Sequence, residues 1–381
     1  MSDVVIRKVE TKADHQVFFE FPWRVYADDP NWVPPLLSMR RDLLDREHAP
    51  SWEYLEGDFF IAWRGEKPVG TIAAYINHRH NEYQNEHIGW FGAFEVYNDP
   101  EAAHALLKTA VEWVRERGYD AIRGPQTFTT HEECGLLVEG FERPILLMPY
   151  NKPYYRDLIE SAGFKLSMVT YSFKMDQPTA SASLVGRLER ITHSIMRRNK
   201  ITVRGLDPKN LNRDFKLFKD LYNAAWQKNW GFVPMTEREL DALVKSLGMF
   251  VSPKLAFFGY VDDQPAGFML PIPDFNMVLH RAYAKPGTPE FITLLKALYY
   301  WKIRPIMNWA RVPLMGVKEE YRGKGVDVVM YYHSIQAMIA NGIEYCDAGW
   351  ILSINDEMMS ILDNFGAQKH RTYHFYEYAL K

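Results

Sequence analysis

Cysteine is almost missing: Cys134 and Cys346 are the only two in 381 residues. Two thiols cannot build the disulfide framework of a small secreted domain, and the opening MSDVVIRKVETKADH has no apolar core of a signal peptide. A cytoplasmic location is the expectation. Long apolar runs are missing too. The most apolar stretch, residues 326–342, is interrupted by His333, Ser334 and Gln336, short of the ~20 residues that a membrane span needs. No membrane span is expected. Nor is there a surplus of one charge: Lys+Arg 45 against Asp+Glu 48 gives a net charge of -3. No global field draws the chain to nucleic acid, and a nucleic-acid partner is not expected. What is present is core material, with 47% apolar and 14% aromatic residues. At the usual size of a domain the chain holds two, or three.

Two segments read alike. Phe60 to Gly70 (FIAWRGEKPVG) and Phe257 to Gly267 (FFGYVDDQPAG) are each a strand, a polar turn and a second strand. The turns are expected at Glu66-Lys67-Pro68 and Asp263-Gln264-Pro265. Near the end of each half, the helical runs Leu158-Ile159-Glu160-Ser161-Ala162 and Ile361-Leu362-Asp363-Asn364-Phe365 close on Gly163 and Gly366. The repeat predicts a duplication, with domains at 1–178 and 179–381 joined by the Pro/Ser/Ala stretch Asp176 to Ser183. Between the echoes, Asp99-Pro100-Glu101 starts a helix carrying Ala103, Leu106, Leu107, Ala110 and Val114 at helical spacing, and Gly118 ends it. Val328, Tyr331, Tyr332, Ile335, Met338 and Ile339 repeat this grammar in the second half, before Gly342. Each half is therefore mixed α/β (α+β), a mostly antiparallel sheet flanked by helices. The first half also carries a long loop, 124–151, whose apolar content predicts that it packs over something, such as a substrate cleft.

The segment from Arg311 to Val317 reads as a strand, and Lys318-Glu319-Glu320-Tyr321-Arg322-Gly323-Lys324-Gly325-Val326-Asp327 leads into a helix. A strand, a glycine loop and a helix N-terminus form an anion cradle, since backbone N–H groups point outward there and the helix dipole favours negative charge. A solvated charged turn is the alternative reading. The corresponding first-half turn, Tyr97-Asn98-Asp99-Pro100, has neither glycine nor a basic residue, and Pro100 lacks an N–H. That half is not expected to bind a phosphate.

The second-half segment resembles the pyrophosphate motif of the GNAT superfamily of acyl-CoA N-acyltransferases, Arg/Gln-x-x-Gly-x-Gly/Ala, with Arg322 and Gly325 in the first two fixed places and Asp327 in the third. Downstream, Asn355 and Gly366 keep the register of the family's Asn-x-x-Ala-x-x-x-Tyr-x-x-x-Gly-Phe motif, while Met358, Leu362 and Ala367 depart from it. The resemblance implies two tandem GNAT-like domains, the first degenerate. It implies acetyl-CoA or another acyl-CoA as co-substrate, held by Val317, Lys318, Arg322, Gly323, Lys324, Gly325, Val326, Asp327 and Asn355. It implies transfer of an acyl group to the amine of a small molecule or peptide. A carboxylate at Asp327 would repel a diphosphate by ~1 kcal/mol in water at 4 Å, or ~4 at an effective dielectric of 20. In the superfamily a glutamate on the motif strand often serves as base, yet Ile306 to Val317 has no carboxylate. Asp347, after the next strand, and His131 and Glu133, in the long loop, are the nominated replacements. A non-catalytic acyl-CoA-binding, sensing or scaffolding protein and a tRNA-dependent aminoacyl transferase of related fold are the alternatives.

Other groupings read as structural. His78 and His80 would share a strand face near His87, but no carboxylate or cysteine joins them at metal-ligand spacing, so no metal is expected. Cys134 beside His131 is read as a buried thiol. The basic run Arg187, Arg190, Arg197, Arg198, Lys200 and Arg204 is read as a solvated helix face, with RNA or the adenosine phosphates as its other reading.

Overall fold

A computed structural model describes residues 3–176, 182–226, 230–248 and 250–381. The expected joint at Asp176 to Ser183 falls largely outside the described residues. The chain divides into two compact units: Met1–Thr170 with Asn276–Pro305 and Arg371–Lys381, and Tyr171–Phe275 with Ile306–His370. Relative to the expected halves, the first unit takes in an internal segment and the C-terminal strand of the second half. The second unit takes in the chain from Tyr171.

The first unit contains β1 (Val4–Lys8), α1 (Lys12–Val25), α2 (Leu37–Leu44), β2 (Leu55–Arg64), β3 (Lys67–Asn77), α3 (His78–Gln84), β4 (Ile88–Val96), α4 (Pro100–Glu116), β5 (Ala121–Gly124), β6 (Leu136–Glu139), α5 (Tyr155–Ser161) and the start of β7 (Lys165–Asp176). Strands β1 to β4 pair antiparallel, and β4 then pairs parallel with β5 over Ile88–Trp90. Helix α4 forms where the sequence says it should. Asp99 accepts the Ala102 N–H at 3.1 Å, Pro100 opens the first turn, and Ala103, Leu106, Leu107, Ala110 and Val114 are buried in one cluster with Ile72, Ala74 and Phe91.

The second half follows with α6 (Ala182–Asn199), β8 (Ile201–Gly205), α7 (Leu211–Trp226), α8 (Glu237–Leu247), β9 (Phe257–Val261) and β10 (Gln264–Pro273). Next come α9 (Asn276–Ala282), α10 (Glu290–Leu298) and the π-helix Tyr299–Ile303, which belong to the first unit. The half closes with β11 (Trp309–Val317), α11 (Val326–Ala340), β12 (Tyr345–Leu352), α12 (Asp356–Asn364) and β13 (Gln368–Ala379). In the second unit β8 to β11 pair antiparallel, and β11 pairs parallel with β12. Leaving aside α3 and β6 in the first half and α6, α9, α10 and the π-helix in the second, both halves follow one order, strand, two helices, three strands, helix, strand, helix, strand. Tyr376 to Ala379 of β13 pair antiparallel with β5 inside the first unit.

The hairpin turns differ in detail from the expectation. Arg64 faces Lys67 and Val261 faces Gln264, so the loops are Gly65-Glu66 and Asp262-Asp263. Gly65, Asp262 and Asp263 have φ of 64°, 48° and 63°, the left-handed values of tight two-residue hairpins. Pro68 and Pro265 lie in the second strands, each where the register slips by a bulge, because proline cannot donate to the ladder.

Candidate active site

Strands β4 and β5 run together only as far as Trp90 and Arg123. Beyond that point β4 bulges against β3 between Thr71 and Ala73, with Ala93 at φ 44°, and ends in Glu95-Val96 before α4. The Glu95 carboxylate accepts hydrogen bonds from Tyr26, which follows α1, at 2.8 Å and from Tyr155 on α5 at 2.7 Å. Tyr155 is held in turn by the Val96 N–H, which donates to its hydroxyl at 2.9 Å. Burial pushes the Glu95 pKa up to about 7; the two phenols and Arg40 pull the other way, and Glu133 adds repulsion. A carboxylate that titrates near neutrality can take a proton and release it at physiological pH.

Arg40 supplies the positive field. Its guanidinium donates to the carbonyls of Phe19 at 2.8 Å and Phe18 at 3.3 Å, so α1 fixes it in place. Glu133 feels that same charge, while burial raises its pKa. It is nevertheless accessible to water.

The long loop packs as expected. Phe128, fully buried, stacks on Phe59 and meets Trp52 and Tyr75 edge-on, at ring separations of 5.8, 5.0 and 5.6 Å. Its φ of 72° is a strained value for a bulky residue, held by that packing. Gln126 bridges back to Cys134, and the loop so closed carries His131 and Glu133. From that loop the charge of Glu133 reaches Glu95 as a weak repulsion. His131 is half-buried with its backbone N–H on Thr129 Oγ1. Burial pushes the Cys134 thiol well above its ordinary pKa, and its Sγ lies 3.3 Å from the Thr129 carbonyl. That thiol is structural.

In the second unit, the loop after β11 has the geometry of an anion cradle. Gly323 and Gly325 take φ of 72° and 86°. The N–H groups of Gly323, Gly325, Val326, Asp327 and Val328 have no acceptor among the described residues. A Cβ built at Gly323 would meet no atom within 4 Å. The basic side chains behave differently from the expectation. Arg322 donates to the carbonyls of Ala225 at 2.7 Å and Val317 at 3.3 Å, and Lys324 lies over the Tyr321 ring at 4.9 Å. They brace the loop, leaving the backbone to meet an anion. Lys318 donates its N–H to the Ala266 carbonyl, and Asn355 caps α12 by accepting the Met358 N–H at 3.1 Å. At the equivalent place in the first unit, Asp99 caps α4 and Arg64 bonds Asp99 and Glu101 at 2.8 Å each.

Asp347 is fully buried on β12; it accepts the Ser172 hydroxyl and sits in register with Arg311, whose guanidinium reaches the Gly349 carbonyl at 2.9 Å. His78 and His80 do not share a strand face: they open α3, where Asn77 accepts the His80 N–H at 2.8 Å. Each histidine of that group has its own carboxylate, Glu56 for His78, Glu86 for His80 and Asp120 for His87. Of the basic run, Lys200 pairs with Asp262 and Arg204 with Asp214, both at 2.7 Å. Arg187, Arg190, Arg197 and Arg198 are exposed on α6.

The bacterial ceramide synthase of Caulobacter vibrioides is 30% identical over 388 aligned positions, covering 100% of this chain and 98% of that protein. The chain belongs to the GNAT superfamily. The sequence model of the acetyltransferase (GNAT) family matches residues 23–130, the stretch that carries Arg40 and Glu95. Protein YghO of Escherichia coli is 29% identical over 381 positions, 98% of this chain and 95% of that one. A tandem GNAT protein from the clavulanic acid biosynthesis pathway shares the fold, with TM-score 0.55 at 10% identity over 99% of this chain and 98% of that chain. As a GNAT chain it is an acyltransferase. β11 carries no carboxylate, whereas β4 in the first half carries Glu95 near its end. The signal was in the sequence: the strand Trp90 to Val96 ends in a carboxylate, and the duplication makes it the counterpart of β11.

Proposed function

We propose that the chain transfers an acyl group from an acyl-CoA to the primary amine of a long-chain amino alcohol, with Glu95 as the proton acceptor. The observation that carries the reaction class is the Glu95 carboxylate between Tyr26 and Tyr155, with its pKa near 7. What supports the acceptor class is full-length similarity to a protein named a ceramide synthase, since a ceramide is the amide of such an amino alcohol. An ammonium must lose a proton before its nitrogen can attack. Glu95 takes that proton; the new C–N bond forms as the C–S bond breaks, and the second amine proton ends on the departing sulfur. Bound acyl-CoA would supply the activated thioester. Tyr26 and Tyr155 hold the carboxylate in one orientation, and Arg40 favours its ionised form.

Within the second unit, the backbone cradle from Val317 to Val328, where five N–H groups fit an anion, is by itself a candidate holder of a diphosphate. Asp327→Asn keeps the shape of that turn and removes its charge. CoA measured by isothermal titration is expected to bind several-fold tighter to this variant, as removal of ~1 kcal/mol of repulsion requires. Unchanged affinity would place the diphosphate elsewhere.

The reaction itself is tested by thiol release from saturated acyl-CoAs of graded length, with long-chain amino alcohols, short amines and peptides as acceptors. Release that depends on the long-chain amine is the expected result. CoA binding without release across the panel would leave an acyl-CoA-binding module instead.

A further inference from the structure

Helix α10 is inside out. At 100° per residue, Phe291, Leu294, Leu295 and Leu298 form one stripe, the kind that ordinarily packs into a core. Here they are 61%, 49%, 61% and 47% exposed, while Thr293, on the opposite side, is 3% exposed. The stripe continues into the π-helix with Tyr299 at 43% and Ile303 at 73%. The polar side is anchored to the first unit: the Glu290 carboxylate accepts both the N–H and the hydroxyl of Ser38 at 2.9–3.2 Å. The inversion is thus built into the packing of the unit.

Charge says what covers this face. The segment from Asn276 to Pro305 holds five cations, Arg281, Lys285, Lys296, Lys302 and Arg304, and the single acid Glu290, in a chain whose net charge is -3. Lys302 lies 3.8 Å over the ring of its neighbour Trp301, and Tyr299 and Tyr300 adjoin them. An exposed apolar stripe flanked by cations and aromatic rings matches an interfacial helix, whose apolar side enters the acyl boundary while Lys and Arg meet anionic headgroups. A second copy of the same face would bring like charges together.

We propose that α10 and the following π-helix dock the protein on an anionic lipid bilayer. The inference goes beyond the proposed reaction and does not draw on it. The full chain is floated with phosphatidylcholine vesicles and with vesicles that also contain phosphatidylglycerol. It is expected to float with the anionic vesicles, less so at raised salt, and Leu295→Glu/Ile303→Glu should reduce the bound fraction at least ~tenfold. Leu295→Ser/Ile303→Ser, which adds no charge, should weaken binding in the same direction and guards against misfolding of the first variant. Lys302→Gln/Arg304→Gln should flatten the salt dependence. The proposal is overturned if the wild-type chain stays with neither vesicle, if both apolar variants float as well as wild type, or if light scattering shows a dimer that these variants split.

Discussion

Glu95→Gln should lower the rate of acyl transfer by about 10²–10⁴-fold and, at pH 8, make the protein more stable. The two effects share one cause. The folded pKa of Glu95 is about 7, against an ordinary value of 4.5. The native state therefore holds the Glu95 proton more tightly than the unfolded chain does. Below pH 4.5 both states are protonated and nothing is lost. As pH rises through 7 the native carboxylate ionises in a desolvated place, and stability falls by up to about 3 kcal/mol. Glutamine carries no charge to desolvate, so the variant should match wild type at pH 4 and exceed it at pH 8. In wild type, kcat/KM should climb with pH through about 7, as a base must be ionised to act, and that limb should vanish in the variant. Urea melts at the two pH values and a pH–rate profile check both halves. A variant with full activity, or with a retained limb near 7, would remove Glu95 from the chemistry. A substitution that costs activity while adding stability is what a residue kept for function produces.

A second large effect is expected three residues earlier. A methyl group on Gly92 would stand 1.8 Å from the Gln126 carbonyl oxygen and 2.6 Å from its carbon. Both are backbone atoms, so no side-chain rotation relieves the clash. Gly92→Ala must push the segment after β5 off β4, breaking the bond from the Gln126 N–H to the Phe91 carbonyl at 2.9 Å. It also displaces the carbonyl that receives the Tyr75 hydroxyl at 2.9 Å. The expected loss is at least ~3 kcal/mol, in the range of core overpacking with lost buried hydrogen bonds. Gly118→Ala is the comparison. That glycine has φ 83° with no atom within 4 Å of a built Cβ, so only the backbone penalty of about 1 kcal/mol applies. Thermal melts of the two variants should be well separated; similar melting temperatures would show that β4 and the loop can part without cost.

Much of the architecture is legible from local chemistry. Asp99-Pro100 starts α4, Asn355 caps α12, and Gly118, Gly163, Gly342 and Gly366 follow their helices at φ between 72° and 94°. Caps and left-handed glycines act within a turn of the chain, so their effects can be read in sequence. The paired hairpins are legible for the same reason. Their prolines mislead by one or two residues, because proline also marks a bulge inside an antiparallel pair. The cradle after β11 is legible as backbone. The role of Arg322 is not, since the carbonyl of Ala225 that captures it lies 97 positions earlier in the chain.

By itself, then, the sequence determined the duplication, the mixed α/β class, the helix boundaries and the glycine loop at the start of α11, all of them set by interactions between near neighbours. Only the tertiary structure decided which carboxylate titrates near neutrality. Glu95 owes its raised pKa to burial and to the repulsion of Glu133, against the opposing pull of Arg40 and of Tyr26 and Tyr155, which are 69 and 60 positions away. It likewise decided that Asp347 is sealed beneath Ser172, and that the apolar stripe of α10 faces outward where its periodicity alone would place it in a core. Desolvation and electrostatic fields depend on what surrounds a group in space, and that surrounding is assembled from distant segments that no local pattern contains.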